Sequence, residues 1–219
     1  MVQKENKQGV IMSELEQKSS YSWNQKSTLY SCDYLSGQFP DIDTRAIEKM
    51  VLENHAKKRV MHEDPNNIRG EDIRIDYDEN IKKLKNKLCA EYKLQTGNEI
   101  ELSCDANPKI HKDRNESYWA IVHEKGDTTQ LHSHENFKDY AAGPHVSAVF
   151  WIKVPDNSGN FVFQYNPNKY VVSETALKSI EGFFLIFDST VKHRVTENLS
   201  NDQRIVISMN FNLVNTTWN

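Results

Sequence analysis

Residues 145–154 read HVSAVFWIKV, and the two faces of this segment decide the class of fold. Successive side chains of a β-strand point to opposite faces of its sheet. One face of the segment is wholly apolar, whereas the other mixes His145, Ser147 and Trp151 with a valine and a lysine. A fully apolar strand face has to be covered, and a tryptophan on a mixed face fits a pocket better than open water.

A second segment, residues 203–213, repeats this pattern near the C-terminus. Its apolar face carries Ile205, Ile207, Met209, Phe211 and Leu213, and its mixed face carries Arg204, Val206, Ser208, Asn210 and Asn212. We predict that N-terminal helices cover the apolar faces of both segments. The mixed faces would then line a space between two sheets.

Two helices are predicted before the strands begin. The first starts at the capping residues 41–44 and runs to about residue 60. The second starts after Asp78 or Asn80 and stops at Gly97. Its apolar residues Ile81, Leu84, Leu88 and Tyr92 fall on one face.

The rest of the chain consists of short β-like runs between Gly, Asn, Asp and Pro residues. Strands are predicted near 117–123, 128–134, 145–154, 159–164, 169–173, 182–187, 191–197 and 203–213. Helices followed by many short strands predict a mainly β protein, a β-sandwich or jelly roll with two helices packed on one sheet. We expect a flexible segment at 1–27 and a single domain at 28–219, with a helical support region at 28–110 and a β core at 111–219.

Composition limits the classes of partner and location. A net charge of −4 and a pI near 6.1 give no basic stripe for nucleic acid. The three cysteines are widely spaced and are typical of reduced thiols in a cytosolic protein. No apolar run approaches the roughly 18 residues that a membrane span needs. We therefore expect a soluble cytoplasmic protein, and the oligomeric state stays open.

The stretch QLHSHE, residues 130–135, carries the candidate metal chemistry. His132 and His134 are two residues apart, so a strand would turn both imidazoles to one face. A third ligand, for which His193 is the candidate, can come from a distant strand. Neutral imidazole suits iron, copper, nickel and zinc, so the pair alone does not select a metal.

Arg204 follows His193 by eleven residues, across the polar turn 198–202. This spacing lets the chain leave one strand, turn, and place the arginine on the next strand with its head toward the metal. An oxygen-activating ferrous site that uses a 2-oxo acid needs a buried cation for the far carboxylate of that acid. Arginine suits this role because its planar fork binds carboxylate with two hydrogen bonds and stays charged.

The region 123–213 resembles the Fe(II)/2-oxoglutarate-dependent dioxygenases, in particular the prolyl-hydroxylase-like oxygenases of bacteria and phages. The resemblance is carried by Gly126-Asp127, His132-Ser133-His134, the run 146–152 leading to Pro155, 158–163, 182–189, 193–195 and 204–212. It implies a double-stranded β-helix, a jelly-roll or cupin-like fold. It also implies Fe(II) ligands at His132 and His193, and Arg204 on the C5 carboxylate of 2-oxoglutarate, with Ser147 or Ser208 as helpers.

The middle ligand departs from the widespread His-x-Asp/Glu pattern, because His134 stands at that place. Three arrangements are open: three histidines, two histidines with water, or a carboxylate from Glu135 or Asp139. We favour His134, although Glu135 could act if the strand ends or bulges there. His145 is a further candidate beside the cosubstrate, the alternative being an ordinary strand histidine.

The remaining aromatic, amide and histidine residues are candidates for the substrate mouth or for surface and packing roles. Residues Trp119, Tyr165 and Asn210 are candidates for the substrate mouth, with packing as the alternative. The histidines His55, His62, His111 and His123 are assigned to surface or packing roles.

The resulting hypothesis is an oxidoreductase that uses Fe(II), 2-oxoglutarate and dioxygen to hydroxylate a C–H bond. The catalytic set is His132, His193 and Arg204, and the substrate is a peptide, prolyl-like in the manner of the family, or a small molecule. Two alternatives stay open at this point: a cupin-like metalloenzyme that does not use 2-oxoglutarate, and a non-catalytic β-sandwich binding module. Loss of 2-oxoglutarate binding on Arg204→Ala would distinguish the first alternative.

Overall fold

The structure is a computed structural model and describes residues 33–60, 70–109, 112–134 and 143–214, apart from the side chain of residue 168. The predicted flexible segment 1–27 and the predicted boundary at residue 28 lie outside these residues. The cysteines within them, Cys89 and Cys104, have free thiols, and burial raises the pKa of Cys89 to about 11. No helix in this part of the chain is both long enough and apolar enough to cross a membrane.

Three α-helices lie in the first half of the described residues. They are α1 (Thr44–Ala56), α2 (Glu79–Thr96) and α3 (Ser103–Ala106), and a 3-10 turn follows at Arg114–Glu116. Asp43 caps α1 and Asp78 caps α2, each accepting a backbone N–H three residues later. Gly97 ends α2 in the left-handed region, at φ 76°, which favours glycine. The two predicted helices are confirmed, although α1 ends at Ala56 rather than near residue 60.

Eleven strands in the described residues form two antiparallel sheets. The larger one, here the major sheet, contains β1 (Tyr34–Gln38), β2 (Glu71–Ile73), β3 (Ile100–Leu102), β4 (Tyr118–His123), β6 (Val146–Lys153), β9 (Phe183–Asp188) and β11 (Arg204–Leu213). The minor sheet contains β5 (Thr129–His132), β7 (Phe161–Asn168), β8 (Val171–Leu177) and β10 (Lys192–Val195). The strand orders are β1-β9-β6-β11-β4-β2, with β3 paired to the end of β11, and β5-β10-β7-β8.

The outer face of the major sheet packs under the helices, as the alternation in β6 and β11 predicts. Phe150 and Ile207, both 0% exposed, belong to the same apolar cluster as Ile47 of α1 and Leu84 of α2. Burying such side chains contributes about 1.5–3 kcal/mol each relative to leaving them exposed. This face therefore carries most of the apolar burial that holds the fold together.

The inner face of the major sheet packs on the minor sheet. Val149, Trp151 and Val206 share a second apolar cluster with Phe161 and Phe163 of β7. The predicted space between two sheets is confirmed, and so is the fold class: a mainly β double-stranded β-helix with helices packed on one sheet.

Several strand bounds differ from the prediction. The strands β1, β2 and β3 fall in the region predicted as helical support, and they extend the major sheet by pairing with β9, β4 and β11. They have only three to five residues, too few for the alternation that identifies a strand from sequence. The strand β5 ends at His132 rather than at residue 134, and β8 continues to Leu177 rather than ending at 173.

Candidate active site

A cavity of about 410 Å³ lies between the two sheets. Its walls come from the inner faces of β4 and β11 on one side and from β5, β7 and β10 on the other. The lining brings together His132, His134 and His193 toward one end and Arg204 toward the other. These four side chains, far apart in sequence, share one cavity because β10 and β11 pair with strands on opposite sides of it.

The three histidines converge on one another. His132 and His193 stand directly opposite each other in the β5–β10 pair, and their ring centroids are 4.3 Å apart. His134 lies two residues beyond the end of β5, where its backbone N–H donates to the carbonyl of Ser189 at 2.8 Å. One nitrogen from each ring lies within 4.8 Å of the other two, a separation that suits a shared metal ion.

The second nitrogen of each ring has a hydrogen-bond partner that determines where the proton sits. The Nδ1 atoms of His132 and His193 lie 2.8 and 2.9 Å from the backbone carbonyls of Gln130 and Val191. A carbonyl only accepts, so each Nδ1 carries the proton and each Nε2 keeps a lone pair. His134 Nδ1 lies 2.7 Å from Asn210 Oδ1, which also only accepts. The Nε2 of His134 therefore keeps its lone pair too.

Burial and nearby charges keep the rings of His134 and His193 neutral. Burial lowers the pKa of His134 to about 4, and the neighbouring His132 lowers it further. Burial also holds the pKa of His193 well below its usual value, together with repulsion from the other two rings. Metal ions bind neutral imidazole, so the ligand nitrogens are available at neutral pH without displacing a proton.

Arg204 is a buried cation at the far end of the cavity, with 1% of its surface exposed. Its Nη2 donates to Ser179 Oγ at 3.2 Å, and its Nη1 lies 3.4 Å from His123 Nδ1. Its Nε has no partner, and no carboxylate among the described residues pairs with the guanidinium. Burial lowers the pKa of Arg204 to about 10, so it remains charged at neutral pH. A buried cation without a counter-ion is costly and indicates an anionic ligand.

The remaining predicted residues are divided between the cavity and its surroundings. Ser208 lines the cavity between Asn210 and Arg204, whereas the Ser147 hydroxyl lies 2.9 Å from both His134 Nδ1 and Asn210 Oδ1. His145 is not part of the cavity lining, and its Nδ1 accepts the backbone N–H of Leu213 at 3.1 Å.

The candidates for the substrate mouth are also divided. Trp119 and Asn210 line the cavity, whereas Tyr165 is 45% exposed and does not. The alternative ligands Glu135 and Asp139 lie outside the described residues.

Two residues of the site were not indicated by the sequence. His123 was assigned to surface or packing, but it is fully buried with its Nε2 2.8 Å from Thr129 Oγ1 and its Nδ1 facing Arg204. Burial and the charge of Arg204 lower its pKa to about 3, so it stays neutral and accepts from the guanidinium. Its position on the inner face of β4, in phase with Trp119 and Ile121, was the available signal. Ser179 lies between β8 and β9, where no pattern marks it.

The site fits a metal and a 2-oxo acid on its own chemistry. His132 Nε2 and His134 Nε2 lie 3.1 Å apart, close enough for the two nitrogens to bind one metal ion. Three imidazoles suit a first-row transition metal and leave positions for other ligands. Arg204 supplies the cation that the far carboxylate of a chelating diacid needs.

The comparisons with known proteins agree on the class that this fold and site define. Residues 117–210 match the family model described as "Putative 2OG-Fe(II) oxygenase". Over this segment the chain is similar to that family of Fe(II)- and 2-oxoglutarate-dependent oxygenases. The enzyme class and the Fe(II), 2-oxoglutarate and dioxygen expected from the sequence are thereby confirmed.

Solved structures support the fold. A prolyl-4-hydroxylase from Pseudomonas putida is 15% identical, with a TM-score of 0.58 over 83% of this chain and 93% of that one. A prolyl hydroxylase from Trichoplax adhaerens, in complex with a hypoxia inducible factor peptide fragment, is 16% identical, with a TM-score of 0.55 over 94% and 93%. An epimerase from nogalamycin biosynthesis, in complex with Fe3+ and alpha ketoglutarate, is 11% identical, with a TM-score of 0.59 over 91% and 84%. A search of curated protein sequences found no match.

Proposed function

We propose that this protein hydroxylates a C–H bond of a peptide or small-molecule substrate while 2-oxoglutarate and dioxygen become succinate and CO2. In this proposal His132, His134 and His193 hold Fe(II), and Arg204 holds the C5 carboxylate of 2-oxoglutarate. The observation that carries it is the placement of three histidines with converging ring nitrogens and one buried arginine, unpaired with any carboxylate of the described residues, in a single cavity. The iron, when bound, supplies the oxidising chemistry, and the protein supplies ligands, orientation and exclusion of water.

The histidines act as pre-formed neutral ligands. Their Nδ1 protons are already donated to fixed acceptors, so each ring presents its Nε2 without a change of tautomer. Phe161 stacks on His193 at 5.3 Å between centroids, and Phe187 meets it edge-on at 4.9 Å. This apolar packing holds the ring in place and keeps water from its buried side.

Arg204 selects the cosubstrate. Its guanidinium is held by neutral groups, Ser179 and His123, so its charge is left for a ligand. Between Arg204 and the histidines, the cavity wall includes Val149, Val206 and Ser208. An acid with a chelating group at one end and a carboxylate at the other can bind the metal and Arg204 together. Ser208 lies between them and is placed to donate a hydrogen bond to this acid.

The substrate is proposed to enter where Gln130 and Leu131 of β5, both exposed, meet Asp72 of β2 at the cavity rim. The cavity has to hold the cosubstrate as well as the reacting group. A peptide would therefore present one side chain to the metal rather than enter whole. The two prolyl hydroxylases of similar fold support a peptide substrate, and the epimerase supports a small molecule.

The experiment that tests the proposal is an anaerobic titration of metal-free protein with Fe(II) and then 2-oxoglutarate. A visible metal-to-ligand charge-transfer band is expected in the wild type, absent in His193→Ala and retained in His145→Ala, whose side chain lies outside the cavity. Iron binding without the band would favour a metalloenzyme that does not use a 2-oxo acid. Failure to bind iron would contradict the proposal as a whole. Oxygen-dependent succinate release in the presence of proline-containing peptides or small metabolites would then distinguish the substrate classes.

A further inference from the structure

We infer that Asn210 and Ser147 are positioning residues that fix the tautomer and orientation of His134, and thereby make it the third metal ligand. This role rests on the proposed metal site. It explains how a histidine can be the middle metal ligand at a position where the widespread His-x-Asp/Glu pattern has a carboxylate. It also assigns a role to two buried polar side chains on the inner face of the major sheet, Ser147 at 1% and Asn210 at 8% exposure.

His134 differs from the other two histidines in how its ring is held. His132 and His193 lie within strands, and each Nδ1 donates to the backbone carbonyl two residues earlier in the chain. Any sequence supplies such a carbonyl, so no particular side chain is needed. His134 lies beyond the end of β5, where strand alternation no longer directs its side chain.

The partners of His134 Nδ1 come instead from two strands of the opposite sheet. Asn210 of β11 places Oδ1 at 2.7 Å, and Ser147 of β6 places Oγ at 2.9 Å. The same Ser147 Oγ lies 2.9 Å from Asn210 Oδ1, and the two residues are directly paired across β6 and β11. The three atoms therefore form a closed triangle of hydrogen-bonding groups.

Only one distribution of protons satisfies this triangle. Asn210 Oδ1 is an acceptor, so the Ser147 hydroxyl and His134 Nδ1 both donate to it. With its proton on Nδ1, His134 directs an unprotonated Nε2 toward His132 and His193. Side chains that orient the far nitrogen of a ligating histidine typically contribute about 10- to 100-fold to metal affinity.

The choice of asparagine sets the charge of the ligand. A neutral acceptor leaves His134 a neutral imidazole, whereas a carboxylate at position 210 would increase its basicity and add a negative charge near the metal. Asn210→Asp is therefore expected to keep the orienting bond and strengthen metal binding. Asn210→Leu keeps the size of the side chain and removes the acceptor.

Co(II) binding to the full chain under anaerobic conditions tests the inference, because the d–d absorption of Co(II) reports ligand number and geometry. Asn210→Leu is expected to weaken Co(II) binding about 10- to 100-fold and to shift the spectrum toward that of His134→Ala. Asn210→Asp is expected to bind at least as tightly as the wild type, with the three-histidine spectrum. Ser147→Ala is expected to have a smaller effect than Asn210→Leu, because Asn210 still accepts from His134.

Asn212→Leu is the matched control. Asn212 is a buried amide on the same face of β11, and it donates to the carbonyl of Gly143 rather than to a histidine. Its replacement should leave the Co(II) affinity and spectrum unchanged, with the free energy of unfolding measured for every variant. Equal losses of affinity in Asn210→Leu and Asn212→Leu, or a wild-type spectrum in Asn210→Leu, would overturn the inference. A wild-type protein that does not bind Co(II) would instead contradict the proposed metal site.

Discussion

The two faces of the major sheet differ in almost every respect although they belong to the same strands. On its outer face, Phe150 and Ile207 pack with the helices in a continuous apolar layer. On its inner face, Ser147, Arg204 and Asn210 lie among apolar residues and have their polar groups directed to the histidines or to the cavity. Apolar burial on the outer face supports the fold strongly enough for the inner face to carry costly polar groups.

The largest effect on stability is expected on the outer face. Phe150→Ala removes a fully buried ring and should lower the free energy of unfolding by about 3–5 kcal/mol. Denaturant unfolding measures this loss, and titration under native conditions measures the affinity of the folded molecules for 2-oxoglutarate. If the outer face only stabilises the fold and the inner face binds the cosubstrate, the folded molecules keep the wild-type affinity for 2-oxoglutarate. A weakened cosubstrate affinity with little loss of stability would show that the outer face takes part in binding.

Arg204→Met makes the converse change on the inner face. We expect a loss of 2-oxoglutarate affinity of about 30-fold or more, because a buried charged partner is typically worth about 2–5 kcal/mol. The free energy of unfolding should stay the same or increase, since an uncompensated buried charge is removed and the methionine fills part of its volume. Fluorescence or calorimetric titration with Fe(II) present measures the affinity.

The control for this change is Arg194→Met in strand β10 of the minor sheet. Arg194 pairs with Glu174 at 2.8 Å near the protein surface. Its replacement should leave the cosubstrate affinity unchanged. An equal loss in both variants would show that net charge, rather than the position of Arg204, governs the binding.

The same division explains how much could be predicted from the sequence. The alternation in β6 and β11 was strong because each strand has at least eight residues and one fully covered face, so the layers followed directly. The shared site of His132, His134, His193 and Arg204 could be predicted from the order and spacing of these residues. The structure brings His132 and His134 together, but strand alternation is not the cause, because β5 ends at His132.

The remaining parts of the site depend on contacts between distant segments. Ser179 reaches Arg204 from the connection between β8 and β9, and Asn210 reaches His134 across the two sheets. Nothing in the local sequence determines such pairs. The position of His123 could be predicted in part. The alternation of β4 put it on the inner face, but it did not show that Arg204 would lie beside it.

A pH effect of intermediate size should come from His123. Its pKa is about 3 in the folded protein and near 6.5 in the unfolded chain, so the unfolded state takes up the proton first as the pH falls. The stability associated with neutral His123 is fully present above about pH 6.5 and is lost progressively from there toward pH 3. Between pH 7 and pH 5 this loss amounts to about 2 kcal/mol.

Unfolding of the metal-free wild type and of His123→Gln at the two pH values isolates this contribution. Glutamine can still accept from Arg204 and donate to Thr129, but it does not titrate. The wild type should lose about 2 kcal/mol more than the variant between pH 7 and pH 5. Because His134 and His193 titrate in both proteins, they cancel in the difference. Equal losses in the two proteins would mean that the pKa of His123 is the same in the folded and unfolded states.

The smallest effect is expected from Ser208→Ala. This change distinguishes a role in cosubstrate binding from a role in metal binding. Ser208 is 2% exposed and lies on β11 between the metal end, marked by Asn210, and the cosubstrate end, marked by Arg204. A single hydrogen bond from its hydroxyl to 2-oxoglutarate would contribute about 1 kcal/mol, which is about a fivefold change in affinity. Co(II) affinity should not change, because the hydroxyl is not part of the triangle around His134. A fivefold loss for 2-oxoglutarate with unchanged metal binding would place the cosubstrate along β11, whereas the reverse result would assign Ser208 to the metal end.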